Sequence, residues 1–191
     1  MLLKIVKYGN PVLRLKGEIV SRFDDSLAKL SADMLETMRA NQGIGLAAQQ
    51  VGIPLQFFVV EILPSSTEKN DFSATLDGKP VPPEILFPLS VANPEVEILP
   101  DDEWLYTEGC LSFPNLRGSV ARREKVRLNY QDLRGGAHEI VCDNLLARCI
   151  QHEFDHCQGV LFIDRMEKRD LLKIQGKVKR LYRETRDSLK T

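Results

Sequence analysis

Apolar positions recur along this chain in two rhythms, and each predicts its own kind of element. From about Asp25 to Asn41 they fall at Leu27, Leu30, Met34 and Met38, a stripe at helical spacing that Gly43 ends. Phe57 to Ile62 is an unbroken apolar run and reads as a buried strand. Ser90 to Asn93 and Val96 to Leu99 predict strands interrupted by Pro94. Val120 to Tyr130 alternates at Val126, Leu128 and Tyr130. A Gly135-Gly136 turn then leads to a strand from His138 to Val141, completing a hairpin. From Asp143 to Gly159 nothing breaks a helix. Asp143 can accept from free N–H groups at its start, and Gly159 can take the left-handed conformation that ends one. Val160 to Ile163 suggests a short strand or return. Arg165 to Thr191 is helical by pattern, with Leu171, Ile174, Val178, Leu181 and Tyr182 on one side; Gly176 is expected where its docked part ends. Residues 2–6 alternate weakly, as a short strand or arm. The fold class that follows is α+β: antiparallel strands packed around a central helix, with a C-terminal helix.

Two segments lack either rhythm. Gly43 to Gly52 is built of small residues, so another backbone or a ligand can approach it closely. It has no Lys-Ser/Thr and follows a helix, so it is not a phosphate loop. Residues 64–88 are polar, Pro-rich and aperiodic, and are expected as a surface insertion rather than a substrate lid. Residues 1–165 then form the main domain and 166–191 a basic amphipathic helix.

Charge changes the picture little in bulk and much locally. The formal net charge of −1 points to no membrane partner and no specific DNA. The segment 165–191, however, holds ten Lys/Arg against four Asp/Glu, so positive charge is concentrated there. The opening Met1-Leu-Leu-Lys-Ile-Val-Lys is too short and charged for a signal peptide. The four cysteines (Cys110, Cys142, Cys149 and Cys157) show no secreted disulfide spacing, which fits reduced thiols in the cytoplasm.

The chemistry sits on the central helix. Leu145, Cys149, His152 and His156 share one face at steps of four, three and four. Two imidazoles one turn apart can chelate one ion, while Glu153, about 100° round the helix, stands free beside it to handle protons. This is the H-E-x-x-H arrangement of metal hydrolases; a helix with two incidental histidines is the competing reading. A catalytic ion needs a third protein ligand and one position for water. The variant with a further His three residues after Gly159 fails at Phe162, and no downstream Asn-Glu segment exists. His138 and Cys110 remain as donors.

Three segments carry a family resemblance. Gly-Ile-Gly-Leu-Ala-Ala-Gln-Gln (43–50), Glu-Gly-Cys-Leu-Ser (108–112) and Gln-His-Glu-Phe-Asp-His (151–156) resemble, in order, the motifs of peptide deformylases. The resemblance implies a metal-dependent hydrolase that takes the formyl group from the N-terminal formyl-methionine of newly made polypeptides. It implies Cys110, His152 and His156 as metal ligands and Glu153 as the group that moves protons. It also implies Gln50 and the Leu111 N–H as oxyanion donors. Its metal is ferrous iron, with nickel, cobalt or zinc as substitutes; the ligand chemistry alone suggests zinc. Ile44, Gly45, Tyr106, Leu145 and Cys149 are the candidates to line the methionine pocket, and Arg117 to bond the peptide backbone. Arg148 and Cys157 stand where the family usually has apolar residues, Arg148 expected at the pocket rim. An amidase with a changed substrate and a non-catalytic metal protein are the alternatives. A protein acting on emerging chains meets the ribosome, and the basic tail is the expected contact.

Overall fold

The computed structural model describes residues 1–62 and 72–190. The first long element is α1 (Asp25–Ala40), capped by Asp24, whose carboxylate accepts from the N–H groups of Ser26 and Leu27. Two short strands follow, β1 (Gly45–Ala47) and β2 (Phe57–Val60), separated by a 3₁₀ turn over Ala48–Val51. Next come β3 (Ala74–Leu76), β4 (Lys79–Pro80), the one-turn helix α2 (Pro83–Leu86) and the long strand β5 (Leu89–Ile98). Strands β6 (Glu103–Gly109), β7 (Arg117–Arg123), β8 (Lys125–Gln131) and β9 (Ala137–Asp143) lead into α3 (Asn144–Cys157). The chain closes with α4 (Phe162–Arg165) and α5 (Lys168–Ser188).

Seven strands form one antiparallel sheet in the order β1-β2-β5-β8-β9-β3-β4, while β6 and β7 pair only with each other. The unbroken apolar run of β2 has a simple cause. Phe57 and Val59 face a cluster built with Leu27, Met34 and Met38 of α1, and Phe58 and Val60 face one built with Leu146 and Ile150 of α3. A strand covered on both sides has no polar side to alternate with. Pro94 does not divide β5, because Asn93 and Pro94 lie in a bulge between Ala92, opposite Gln131, and Glu95, opposite Asn129.

Several expectations need correction. The described part of the 64–88 segment is not a surface insertion: β3 pairs with β9 and extends the main sheet, and Leu86 is buried in the core with Phe72 and Phe87 beside it. The period was invisible because these strands are two and three residues long. Residues 64–71 of that segment lie outside the described residues. Val160 to Ile163 is no strand; Phe162 and Ile163 start α4 and bury their side chains with Leu13 and Phe113. Residues 2–6 form no strand, but Val6 donates to the Gln50 carbonyl at 2.9 Å, and Tyr8 to that of Ser112 at 2.9 Å. Gly176 does not end the docked part of α5, for Val178 is buried beyond it and Tyr182 packs on Tyr8. Asp143 makes no cap bond; its carboxylate accepts instead from the Ser73 N–H at 2.6 Å.

Candidate metal centre

Helix α3 lies between the main sheet and the β6–β7 hairpin, and eleven of its fourteen residues are buried. That position is what turns its histidines inward. Cys110 follows β6 directly, so the hairpin delivers a thiol to the face carrying His152 and His156. One donor atom from each of the three lies within 4.8 Å of the others, the only such group of His, Cys, Asp and Glu among the described residues. The Nε2 of His156 stands 3.4 Å from the Cys110 sulfur. Donors about 2.0 and 2.3 Å from one tetrahedral ion would stand about 3.5 Å apart. The residues therefore fit a metal ion. His138 is not part of this group; it is tied to Asp77 at 2.8 Å and Asp132 at 3.4 Å on the hairpin turns.

The two imidazoles have unlike surroundings. His152 places Nδ1 2.9 Å from Glu108 Oε2, which fixes its ring and leaves Nε2 for a metal. Glu108 also accepts from Arg122 at 2.6 and 3.0 Å and from Arg148 at 2.6 Å. Arg122 reaches Asp155 at 2.8 Å, and Asp155 accepts from Arg165 at 2.7 Å. Burial alone would raise the Glu108 carboxyl, but its bonds to His152 and Arg122 outweigh that and hold it well below the usual carboxylate range. His156 has no such support: its Nδ1 is buried without a partner among the described residues. Burial, with the neighbouring His152, pushes its basicity well below the ordinary imidazole value.

Glu153 faces the strand side of the helix. A Cβ on Gly45 would come within 2.4 Å of Glu153 Oε1 and 2.8 Å of Cys149 Sγ, so only glycine lets β1 lie this close. Oε2 is buried and has no partner among the described residues, so it is an open acceptor. Burial pushes this carboxyl up to about 7, even against the pull of His152 and Arg122. Gln50 is oriented by the Ala47 N–H, which donates to its Oε1 at 2.8 Å. Its Nε2 then donates to Cys110 Sγ at 3.3 Å. The Leu111 N–H, in the turn after Cys110, has no acceptor among the described residues.

The pocket candidates divide. Leu145 and Cys149 are buried on the histidine face, and Cys149 Sγ lies 3.7 Å from the Ile44 carbonyl. Gly45 serves the close approach to Glu153. Tyr106 packs at a tilt against Trp104, with ring centroids 4.7 Å apart, and covers the Arg148 guanidinium. Arg117 is exposed, opposite Gly109 on β7. Arg148 is not at the rim: it is buried with its head on Glu108, where that carboxylate and two backbone carbonyls hold its two terminal nitrogens, while its Nε has no partner among the described residues. Cys157 is buried, its thiol against the Phe57 carbonyl. Sequence reasoning did not find Glu108, Arg122 and Asp155 as supports of His152; a carboxylate two residues before the thiol was the only available signal.

Comparison with known proteins follows this geometry. A family model for polypeptide deformylase matches residues 2–171. A peptide deformylase of Opitutus terrae is 49% identical over 193 aligned positions, covering 100% of this chain and 98% of that protein. One from Methylacidiphilum infernorum is 42% identical, covering 96% and 94%. Among solved structures, a plant peptide deformylase superposes with a TM-score of 0.83 at 33% identity, over 99% of this chain and 94% of that one. A Synechococcus elongatus peptide deformylase in complex with actinonin gives 0.76 at 39% identity, over 94% and 85%.

Proposed function

The chain belongs to the peptide deformylase family, and from that premise we propose how its own residues carry the reaction. It is a metal-dependent hydrolase that removes the N-formyl group from nascent polypeptides. Cys110, His152 and His156 are the ligands we assign, on the clustering of their donor atoms, which is the single observation that carries the reading. A divalent ion held by these three residues would supply Lewis acidity and make a water easier to deprotonate. Glu153 takes the water's proton through its open Oε2 and delivers it to the departing amine. The Gln50 amide and the Leu111 N–H donate to the oxyanion that forms as the formyl carbon is attacked. Water adds to that carbon, the C–N bond breaks, and formate leaves with a free methionine amine.

The substrate methionine is placed against Ile44, Leu145 and Cys149, with Tyr106 at its far side. Among the described strands the outer edge of β1 is unpaired, so the substrate backbone can bond to it at Gly45, beside the Ile44 side chain. Arg117, exposed and with no ion-pair partner among the described residues, is assigned to the peptide beyond the methionine. The reading of an amidase with a changed substrate relied on Arg148 at the rim, and its buried head leaves that reading without support.

Ferrous iron is the ion we assign, on the family resemblance; nickel, cobalt and zinc also suit one thiolate and two imidazoles. Protein purified anaerobically should carry near-stoichiometric iron and release formate from formyl-Met-Ala. In air, activity should fade as iron is oxidised and the Cys110 thiol climbs the sulfenic ladder, while a nickel form holds. Equal decay of the two forms contradicts the iron assignment. We place the reaction in the cytoplasm, where nascent chains emerge; no described helix is long and apolar enough to cross a membrane. The outer face of α5 exposes Lys177, Lys179, Arg183 and Arg186, and we assign it to ribosomal RNA phosphates.

A further inference from the structure

Two separately paired pieces meet at the metal centre. The main sheet carries α3 and both histidines, while the β6–β7 hairpin carries Cys110 and pairs with no strand of that sheet. A two-stranded ribbon is marginal by itself. Whatever fixes it to α3 therefore fixes the thiolate relative to the imidazoles.

Strand β7 is tied down at several places. Arg122 donates to Asp155 at 2.8 Å, Gln151 Nε2 donates to the Arg123 carbonyl at 2.9 Å, and Val120 bridges to Met166. Strand β6, which Cys110 directly follows, is different. Among the described hydrogen bonds, α3 reaches it only through Arg148 and His152. Arg148 lies one turn before His152 and is 4% exposed. Its Nη1 donates to Glu108 Oε1 at 2.6 Å and to the Val120 carbonyl at 3.1 Å, and its Nη2 donates to the Trp104 carbonyl. The guanidinium carbon lies 4.9 Å from the Trp104 ring centroid and 5.6 Å from that of Tyr106. One planar cation thus engages a carboxylate, two carbonyls and two rings across both strands. A methionine of similar length fills the same space and makes none of these polar bonds.

We propose that Arg148 is a positioning residue for the metal centre, holding β6 so that Cys110 and the Glu108–His152 pair meet the ion in register. It acts through Glu108 and the strand, and touches neither the ion nor the substrate. The proposal rests on the ligand assignment above.

The test uses the full chain loaded with cobalt(II), in wild-type, Arg148→Met and Arg148→Lys forms. Three readings are taken: release of cobalt to excess chelator, the thiolate-to-cobalt charge-transfer absorption, and the emission of Trp104, the single tryptophan of the chain. Loss of a supporting partner behind a metal ligand typically costs about 10–100-fold in affinity, and Arg148→Met should release cobalt faster by that factor. Its charge-transfer band should weaken, and Trp104 emission should shift to the red as the ring loses its cover. Arg148→Lys should fall between, since an ammonium keeps a charge near Glu108 but cannot serve the carbonyls and rings together. Wild-type release with an unchanged band and emission in Arg148→Met overturns the proposal. Should the Met variant not fold, wild-type behaviour of the Lys variant overturns it equally. Wild-type protein that takes up no cobalt would instead sink the ligand assignment, a separate failure.

Discussion

Helices α3 and α5 are both amphipathic, yet they stand in opposite relation to water. Eleven of the fourteen residues of α3 are buried, against one of the twenty-one of α5. The polar side chains of α3 are consequently inside, where each must find a partner or be free for chemistry. Those of α5 are solvated, so each is worth little alone. Change on α3 should act through chemistry and folding, and change on the outside of α5 through long-range charge.

The largest effects should come from the centre itself. Cys110→Ser, His152→Ala and His156→Ala should each lose metal and activity together. Glu153→Ala should keep its metal and lose about 10²–10⁴-fold in rate, the range of general acid–base catalysis. Metal content measured beside formate release checks this, and metal loss in a folded Glu153→Ala would falsify the role given to that carboxylate. Gln50→Ala should cost about 10²–10³ in kcat, as loss of one oxyanion donor does. An unchanged kcat would remove Gln50 from the machinery. Leu146, fully buried under β2, carries the packing side of the comparison. Its change to Ala should destabilise by about 2–5 kcal/mol, read as a fall in the urea midpoint.

The smallest effect in a dilute assay should come from α5. Lys179→Glu with Arg183→Glu and Arg186→Glu should shift stability by less than about 0.5 kcal/mol per site and leave formyl-dipeptide turnover as it was. Cosedimentation with ribosomes at low salt should fall. If the triple variant still pellets like the wild type, the basic face is only a solvated surface, and the contrast between the helices loses its functional half.

What the sequence revealed follows the range of the signal. The α3 site was legible because ligands, base and apolar stripe all lie within one short helical pattern. The stripe of α1 and the run of β2 were legible for the same local reason. Strand β6 was not: its exposure alternates, but apolar Leu105 stands on the exposed side and charged Glu108 on the buried one, so residue type does not follow the alternation. Neither was the pairing of Glu108 with Arg122 and Arg148: three charged residues on different elements give no sign in sequence that they share one buried place. Val160 to Ile163 misled because a short apolar run suits a strand and a buried helical turn alike.

The bonds of Val6 to Gln50 and of Tyr8 to Ser112 bear on the order of synthesis. The segment around Val6 and Tyr8 is stitched to two that are made later, and Cys110 itself precedes both histidines. During translation the arm waits with its N–H groups turned to water, and no sub-length of chain ending before α3 can bring all three donors together. Distant pairing of this kind slows folding, because the loops must close before any contact rewards them. The protein that trims emerging chains is, as an emerging chain, inert until α3 has been made.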